Sequence, residues 1–118
     1  MTELVLPNHT NQLGNLLGGQ LMHWIDICAA LSSSKHSNRV CVTASVDNIK
    51  FHYPIKVGDV VTIRASVNRV FNTSMEVGVI VFAENLHPLC FMHLALKAAL
   101  LRMYLAFLHF LFLEHFLQ

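Results

Sequence analysis

Eight Lys and Arg stand against seven Asp and Glu in 118 residues, giving a formal net charge of +1 with only 13% of the chain charged. That length suits one domain with a modest core, one that would draw on a second subunit for an elaborate site, and the even charge leaves no basic patch for nucleic acid. Cys28, Cys41 and Cys90 and the eight histidines fall into no zinc-type spacing, which predicts no metal and reduced core cysteines in a cytoplasmic protein.

In chain order, residues 3–6 are predicted to form a short strand, ended by Pro7-Asn8. Residues 1–20 have neither a basic start nor a long apolar run, which predicts no signal peptide. A Gly-rich turn then leads into a helix starting near Gly18 or Gly19. Leu21, Trp24, Ile25 and Cys28 recur at the spacing of a buried helical face, and Met22, Ile27, Ala29 and Leu31 cover most of the rest. On this pattern protein wraps the helix on nearly all sides, and Asp26 is a carboxylate carried into an apolar setting, where lost hydration must be compensated. The helix is predicted to fade in residues 32–38, where serines and an asparagine favour a loop.

Three segments of period two follow. In residues 39–48, Val40, Val42, Ala44 and Val46 alternate with Cys41, Thr43, Ser45 and Asp47. His52-Tyr53-Pro54 interrupts pairing, and Val57-Gly58-Asp59 turns into a strand with Val61, Ile63, Ala65 and Val67 on one side. After Phe71-Asn72-Thr73, Met75, Val77, Val79, Val81 and Ala83 line one side of a third strand. One helix followed by an antiparallel meander predicts an α+β fold with a curved sheet wrapped around the helix.

The tail differs in character. From residue 89 the only formal charges are Lys97, Arg102 and Glu114, and residues 103–113 are interrupted only by His109. The run is too short to span a bilayer, so no spanning helix is expected there and membrane contact through this segment is the minor alternative. Apolar residues on every face suit a buried helix, an interfacial one, or sequence not shaped by this fold. A helical tail is predicted, with residues 1–86 as the domain and 87–118 as an atypical segment.

Four stretches in order resemble the hotdog-fold acyl-CoA thioesterases. They are the run from Glu3 through Pro7-Asn8-His9-Thr10-Asn11, the motif Gly14-Asn15-x-x-Gly18-Gly19-x-Leu21-x-x-Trp24-x-Asp26, Val42-Thr43-Ala44-Ser45-Val46-Asp47, and Asn72-Thr73-Ser74-Met75-Glu76-Val77. The resemblance covers about residues 3–86. It implies a long central helix wrapped by a five- or six-stranded antiparallel sheet, dimers with a continuous sheet, often gathered as trimers of dimers, and hydrolysis of acyl-CoA to free acid and CoA with no further cofactor. Members of the family follow the Glu84-Asn85 position with a further long strand that nothing here resembles, so the last strand is expected to be replaced by the tail. An inactive product is the outcome expected if that replacement prevents assembly.

Thioester hydrolysis needs an oxyanion stabiliser and a group that delivers water to the carbonyl carbon. The helix start offers amides near Gly19 and Gln20, and glycines there let a ligand approach the backbone. Gly19 and Asp26 are seven residues apart, roughly 10 Å along the axis, so one carbonyl cannot touch both within one protomer. A dimer resolves this, as the resemblance also implies. Asp26 is expected to act as general base or nucleophile, Asn15 of the opposite subunit to orient water or substrate, and Gly19 with Gln20 to hold the oxyanion. Arg69, Asn72, Thr73 and Ser74 are the candidates for CoA, ahead of Arg64 and Lys56. A hotdog hydratase or dehydratase is the rival reading, with His23 as its only candidate on the helix.

Overall fold

The computed structural model describes residues 1–47, 49, 53–85 and 92–105. The elements are β1 (Thr2–Leu4), a 3-10 turn (Pro7–His9), α1 (Gly18–Ser37), β2 (Cys41–Asp47), β3 (Asp59–Val70), β4 (Ser74–Asn85) and β5 (Met92–Leu105). The strands form one sheet in the order β1-β3-β4-β5-β2, with every neighbouring pair antiparallel. Alternation in β3 and β4 sets the core, because their register pairs Val61 with Ala83, Ile63 with Val81, Ala65 with Val79 and Val67 with Val77. All eight side chains therefore share one face. Helix α1 lies on that face, and its Leu21, Trp24, Ile25, Cys28 and Ala29 join the same buried cluster. Each fully buried aliphatic side chain contributes about 1.5–3 kcal/mol. This is the hotdog arrangement of one long helix held by an antiparallel sheet.

Three expectations need correction. The helix does not fade at residue 32 but runs to Ser37. Ser33 Oγ donates to the Ala30 carbonyl at 3.1 Å and Ser37 Oγ to the Ser33 carbonyl at 3.0 Å, bonds that keep serines inside a helix. Asn38, at φ 56°, ends it in the left-handed conformation.

The strict alternation expected in β2 is broken by a bulge. Thr43 pairs with Met103 and Ser45 with Arg102, so Ala44 is an inserted residue. Cys41 and Thr43 face the helix before it and Val46 packs on the core after it, while Val40 is 70% exposed. One extra residue exchanges the two faces of a strand.

The predicted helical tail is the third correction, since Met92–Leu105 is strand β5, seated between β4 and β2. A segment with apolar residues on every face has no period that separates a buried strand from a buried helix. Pairing demand decides, because without β5 the inner edges of β4 and β2 would leave a row of backbone groups unpaired. Leu101 and Met103, two positions apart, are 1% and 0% exposed and complete the core. The match to β4 is uneven, with register shifts on both sides of Val81. The expected tail beyond residue 105 lies outside the described residues.

Candidate functional site

The segment before α1 is folded by a short polar device. Asn11 Oδ1 accepts from the backbone N–H of Leu13 at 2.9 Å and of Asn15 at 3.1 Å, while Asn11 N–H donates to the Asn15 carbonyl at 2.9 Å. Gly14, at φ +76°, supplies the left-handed residue that this turn requires. Asn15 is thereby fixed through its backbone and bridges Lys56. Asn15 lines a pocket of about 310 Å³ with Leu16, Gly18, Leu21, Tyr53, Pro54 and Ile55.

Helix α1 begins beside this pocket. Its first ladder bond runs from Leu21 N–H to the Leu17 carbonyl at 3.1 Å, and Leu17 at the N-cap has no side-chain oxygen to offer the amides of Gly18, Gly19 and Gln20. Gly18 and Gly19 are exposed, and a Cβ built on either would meet nothing within 4 Å. Close packing within the chain therefore does not account for the two glycines. They leave a bare, electropositive backbone surface at the helix start.

Asp26 is not buried, and the expectation of a helix wrapped on nearly all sides is corrected. His23, Asp26, Ile27 and Leu31 form an exposed face of α1, with Leu31 at 55% exposure. Apolar residues on that face had read as burial. Thr43 Oγ1 donates to Asp26 Oδ1, and the same hydroxyl lies 3.4 Å from Met103 Sδ. On the other side of the same helical turn, Cys28 Sγ lies 3.6 Å from the Ile63 carbonyl. Burial pushes the Cys28 thiol above its ordinary value of 9.0, with the N-terminal ammonium and a backbone hydrogen bond from Ala65 acting against it. Asp26 is thus fixed to β2 at a turn that is anchored to β3 through its opposite side.

The four candidates for CoA sit at the β3–β4 hairpin. Phe71 N–H donates to the Ser74 carbonyl at 2.7 Å, closing the turn, and the Arg69 guanidinium lies 4.9 Å from the Phe71 ring centroid. Arg69, Asn72 and Thr73 are exposed, whereas Ser74 is 6% exposed and shapes the turn from inside. Of the weaker options, Arg64 lies over Phe82 at 5.7 Å, and Lys56 donates its backbone N–H to Asp59 Oδ2 at 3.0 Å.

Register decides which candidates come together. Val70, Met75, Met103 and Thr43 form one row across β3, β4, β5 and β2. The Asp26–Thr43 pair and the hairpin turn therefore share one end of the sheet, with Thr43 two strands, about 10 Å, from Met75. The Asn15 pocket adjoins Lys56 and Asp59, at the opposite end of β3 and roughly 35 Å along that strand from Val70. One chain does not unite Asn15 with Asp26 or with the hairpin.

Thr43 and Asn11 were missed as site residues. Simple alternation put Thr43 on a polar outer face, and only the bulge turns it inward. Asn11, three positions before Gly14, carried a readable turn signal. Among the described residues, no group of three or more His, Cys, Asp or Glu could hold a metal ion, and no helix is long and apolar enough to cross a membrane.

A family model described as the thioesterase superfamily matches residues 13–90. Acyl-coenzyme A thioesterase 11 of Mus musculus is 56% identical over 86 residues, which is 73% of this chain and 14% of that protein. Two solved structures are also similar. One is an acyl-CoA hydrolase of Staphylococcus aureus in complex with butyryl coenzyme A, coenzyme A and coenzyme A disulfide, at 33% identity and TM-score 0.82 over 89% of this chain and 63% of that one. The other is a hexameric hotdog-fold thioesterase of Campylobacter jejuni, at 28% identity and TM-score 0.82 over 88% and 79%. The structural matches extend further along the chain than the 86 residues aligned with the mouse protein.

Proposed function

The chain belongs to the thioesterase superfamily, and from that premise we propose that it hydrolyses an acyl-CoA thioester to a free fatty acid and CoA, at sites each built from two copies of the chain. The observation that carries this reading is the separation of two half-sites on α1. An exposed carboxylate held by Thr43 lies about two turns from an uncapped glycine start beside the Asn15 pocket. Each half lacks what the other offers.

In a two-fold pair, the helix start of one copy faces Asp26 of the other. The thioester carbonyl oxygen points at the amides of Gly19 and Gln20, with Asn15 orienting the reacting water or the substrate. Asp26 acts as general base or nucleophile. In the general-base route it takes a proton from the water whose oxygen attacks the carbonyl carbon. The tetrahedral oxyanion then collapses, the C–S bond breaks, and CoA leaves as a thiolate that takes up a proton. CoA is part of the substrate, and no further cofactor is invoked.

Arg69, Asn72 and Thr73 meet the CoA phosphates, with Ser74 holding the turn that presents them. Because they share a sheet end with Asp26, the nucleotide lies on the copy that supplies the carboxylate. The assembly is a dimer or a trimer of dimers, in keeping with the hexameric state named for the Campylobacter jejuni protein. Buried free Cys28 and Cys41 suit a reducing compartment, and the cytoplasm is the proposed location.

The test is thiol release from acyl-CoA by the purified full chain, with size-exclusion chromatography of the same sample. Asp26→Asn should lower kcat about a hundredfold or more while leaving the assembly unchanged. Near-normal turnover in that variant would remove Asp26 from the mechanism.

A further inference from the structure

We infer that His9, in its neutral form, is a positioning residue for the start of α1, fastening the strap of chain that holds the helix N-cap and releasing it in acid. The inference rests on the reading of that helix start as the oxyanion site.

The His9 ring joins two parts of the molecule. Its Nδ1 accepts from Leu6 N–H at 3.2 Å, while His9 N–H donates to the Leu6 carbonyl at 2.9 Å, so residues 6 and 9 are tied in both directions. The same ring meets Trp24 edge to face, with centroids 5.1 Å apart and planes at 86°. Trp24 is 5% exposed and belongs to the core. The His9 carbonyl accepts from Leu17 N–H at 3.0 Å, and Leu17 is the N-cap whose own carbonyl takes the first ladder bond. An adjoining bridge pairs Thr10 with Leu16. His9 thus reaches the helix from its side, through Trp24, and from its end, through Leu17.

The chemistry follows from which nitrogen accepts. With Nδ1 receiving the Leu6 N–H, the neutral ring carries its proton on Nε2. A second proton must enter at Nδ1, turning the acceptor into a donor that faces another donor. Imidazoles as a class change charge between about pH 5 and 8, which sets the interval to probe. The other titratable groups on the neighbouring elements are His23, Asp26, Cys28, Lys35 and His36 on α1, Glu3 on β1, and Lys56 and Asp59 on the segment bonded to the strap. Among the described residues, none of them makes a hydrogen bond or ion pair with the His9 ring. No other residue of 6–17 titrates.

Two full-length variants separate the features. His9→Asn retains a short acceptor for Leu6 N–H at every pH, and His9→Phe retains a ring against Trp24 without an acceptor. The readouts are kcat/KM on acyl-CoA against pH, and the hydrogen-exchange protection factor of the Leu17 amide, which needs no turnover. From about pH 8 to 5.5, the wild-type chain should lose about three- to tenfold in both. His9→Asn should stay level across that interval, and His9→Phe should be low throughout. The inference is overturned if His9→Asn follows the wild-type pH course, or if His9→Phe matches wild-type protection at pH 8. Should His9→Phe fail to fold, the wild-type and His9→Asn comparison decides alone. If the wild-type chain releases no thiol from acyl-CoA at any pH, the hydrolase reading fails and Leu17 protection still tests His9.

Discussion

Thr43 Oγ1 donates a hydrogen bond to Asp26 Oδ1, so that strand β2 holds the helix carboxylate from 17 positions further along the chain. The bulge at Ala44 makes this possible by turning Thr43 toward α1. An exposed carboxylate with no such partner would sample several rotamers, and a base must stay within hydrogen-bond reach of its proton.

Thr43→Val should therefore lower kcat about tenfold or more, the scale of a hydrogen bond to a charged group, with little change in stability. Thr43→Ser should recover most of the loss. Equal kcat for the valine and serine variants would show that the hydroxyl does not position Asp26.

Two half-sites on separate copies predict complementation. Asn15→Ala and Asp26→Asn should each be nearly inactive alone, since every site in either homodimer lacks one group. After mixing, unfolding and refolding together, half of the dimers are hybrids and each hybrid has one intact site, so roughly a quarter of all sites regain both groups. Thiol release by the mixture, compared with each variant refolded alone, measures the recovery. No recovery would confine each site to one chain.

Burial raises the Cys28 thiol above its ordinary value of 9.0, and this fixes the sign of an alkaline effect. Above about pH 9, the unfolded chain releases this proton while the folded chain retains it, so the folded state binds more protons and stability falls as pH rises. The contribution is fully present below pH 9.0 and is lost progressively toward the raised folded value. Urea midpoints should fall more steeply as pH rises above about 9 for the wild-type chain than for Cys28→Ala, which has no thiol to titrate. Parallel curves would show that Cys28 is not the group responsible.

The sequence made the central motif readable because its pieces are local. Gly14, the glycine pair and the apolar spacing from Leu21 to Cys28 all act within a few residues, and the helix begins at Gly18 as expected. The regular face of β3 and β4 was equally legible, since alternation runs unbroken from Val61 to Val67, ahead of the inserted Asn68, and from Met75 to Ala83. Long-range relations were not legible. The inserted residue at Ala44 leaves no mark in composition, and β5 has no period of its own. Its position follows from edges that β4 and β2 present in space. Exposure of Asp26 was misread for a related reason, because Ile27 and Leu31 are apolar on a face that this chain leaves open. The His9–Trp24 contact joins residues whose spacing matches no helix or strand period.

Gly78 tests whether the second bulge is held by a side chain lying across the sheet. Asn68 is the inserted residue of β3 between the Val67–Val77 and Arg69–Glu76 pairs, and its amide covers Gly78. A Cβ at position 78 would lie 2.5 Å from Asn68 Nδ2 and 3.2 Å from its Cγ. The exposed Asn68 side chain can swing away, but doing so breaks the 3.3 Å bond that it accepts from Ser66 Oγ. That loss, about 0.5–1.5 kcal/mol, opposes the gain of about 0.5–1 kcal/mol from replacing a strand glycine, so Gly78→Ala alone should be close to neutral or slightly destabilising. In an Asn68→Ala background nothing needs to move, and the same substitution should stabilise by about 0.5–1 kcal/mol. A double-mutant cycle from urea unfolding should therefore give a coupling of about 1 kcal/mol. Additive effects would mean that the Asn68 amide does not restrain the bulge.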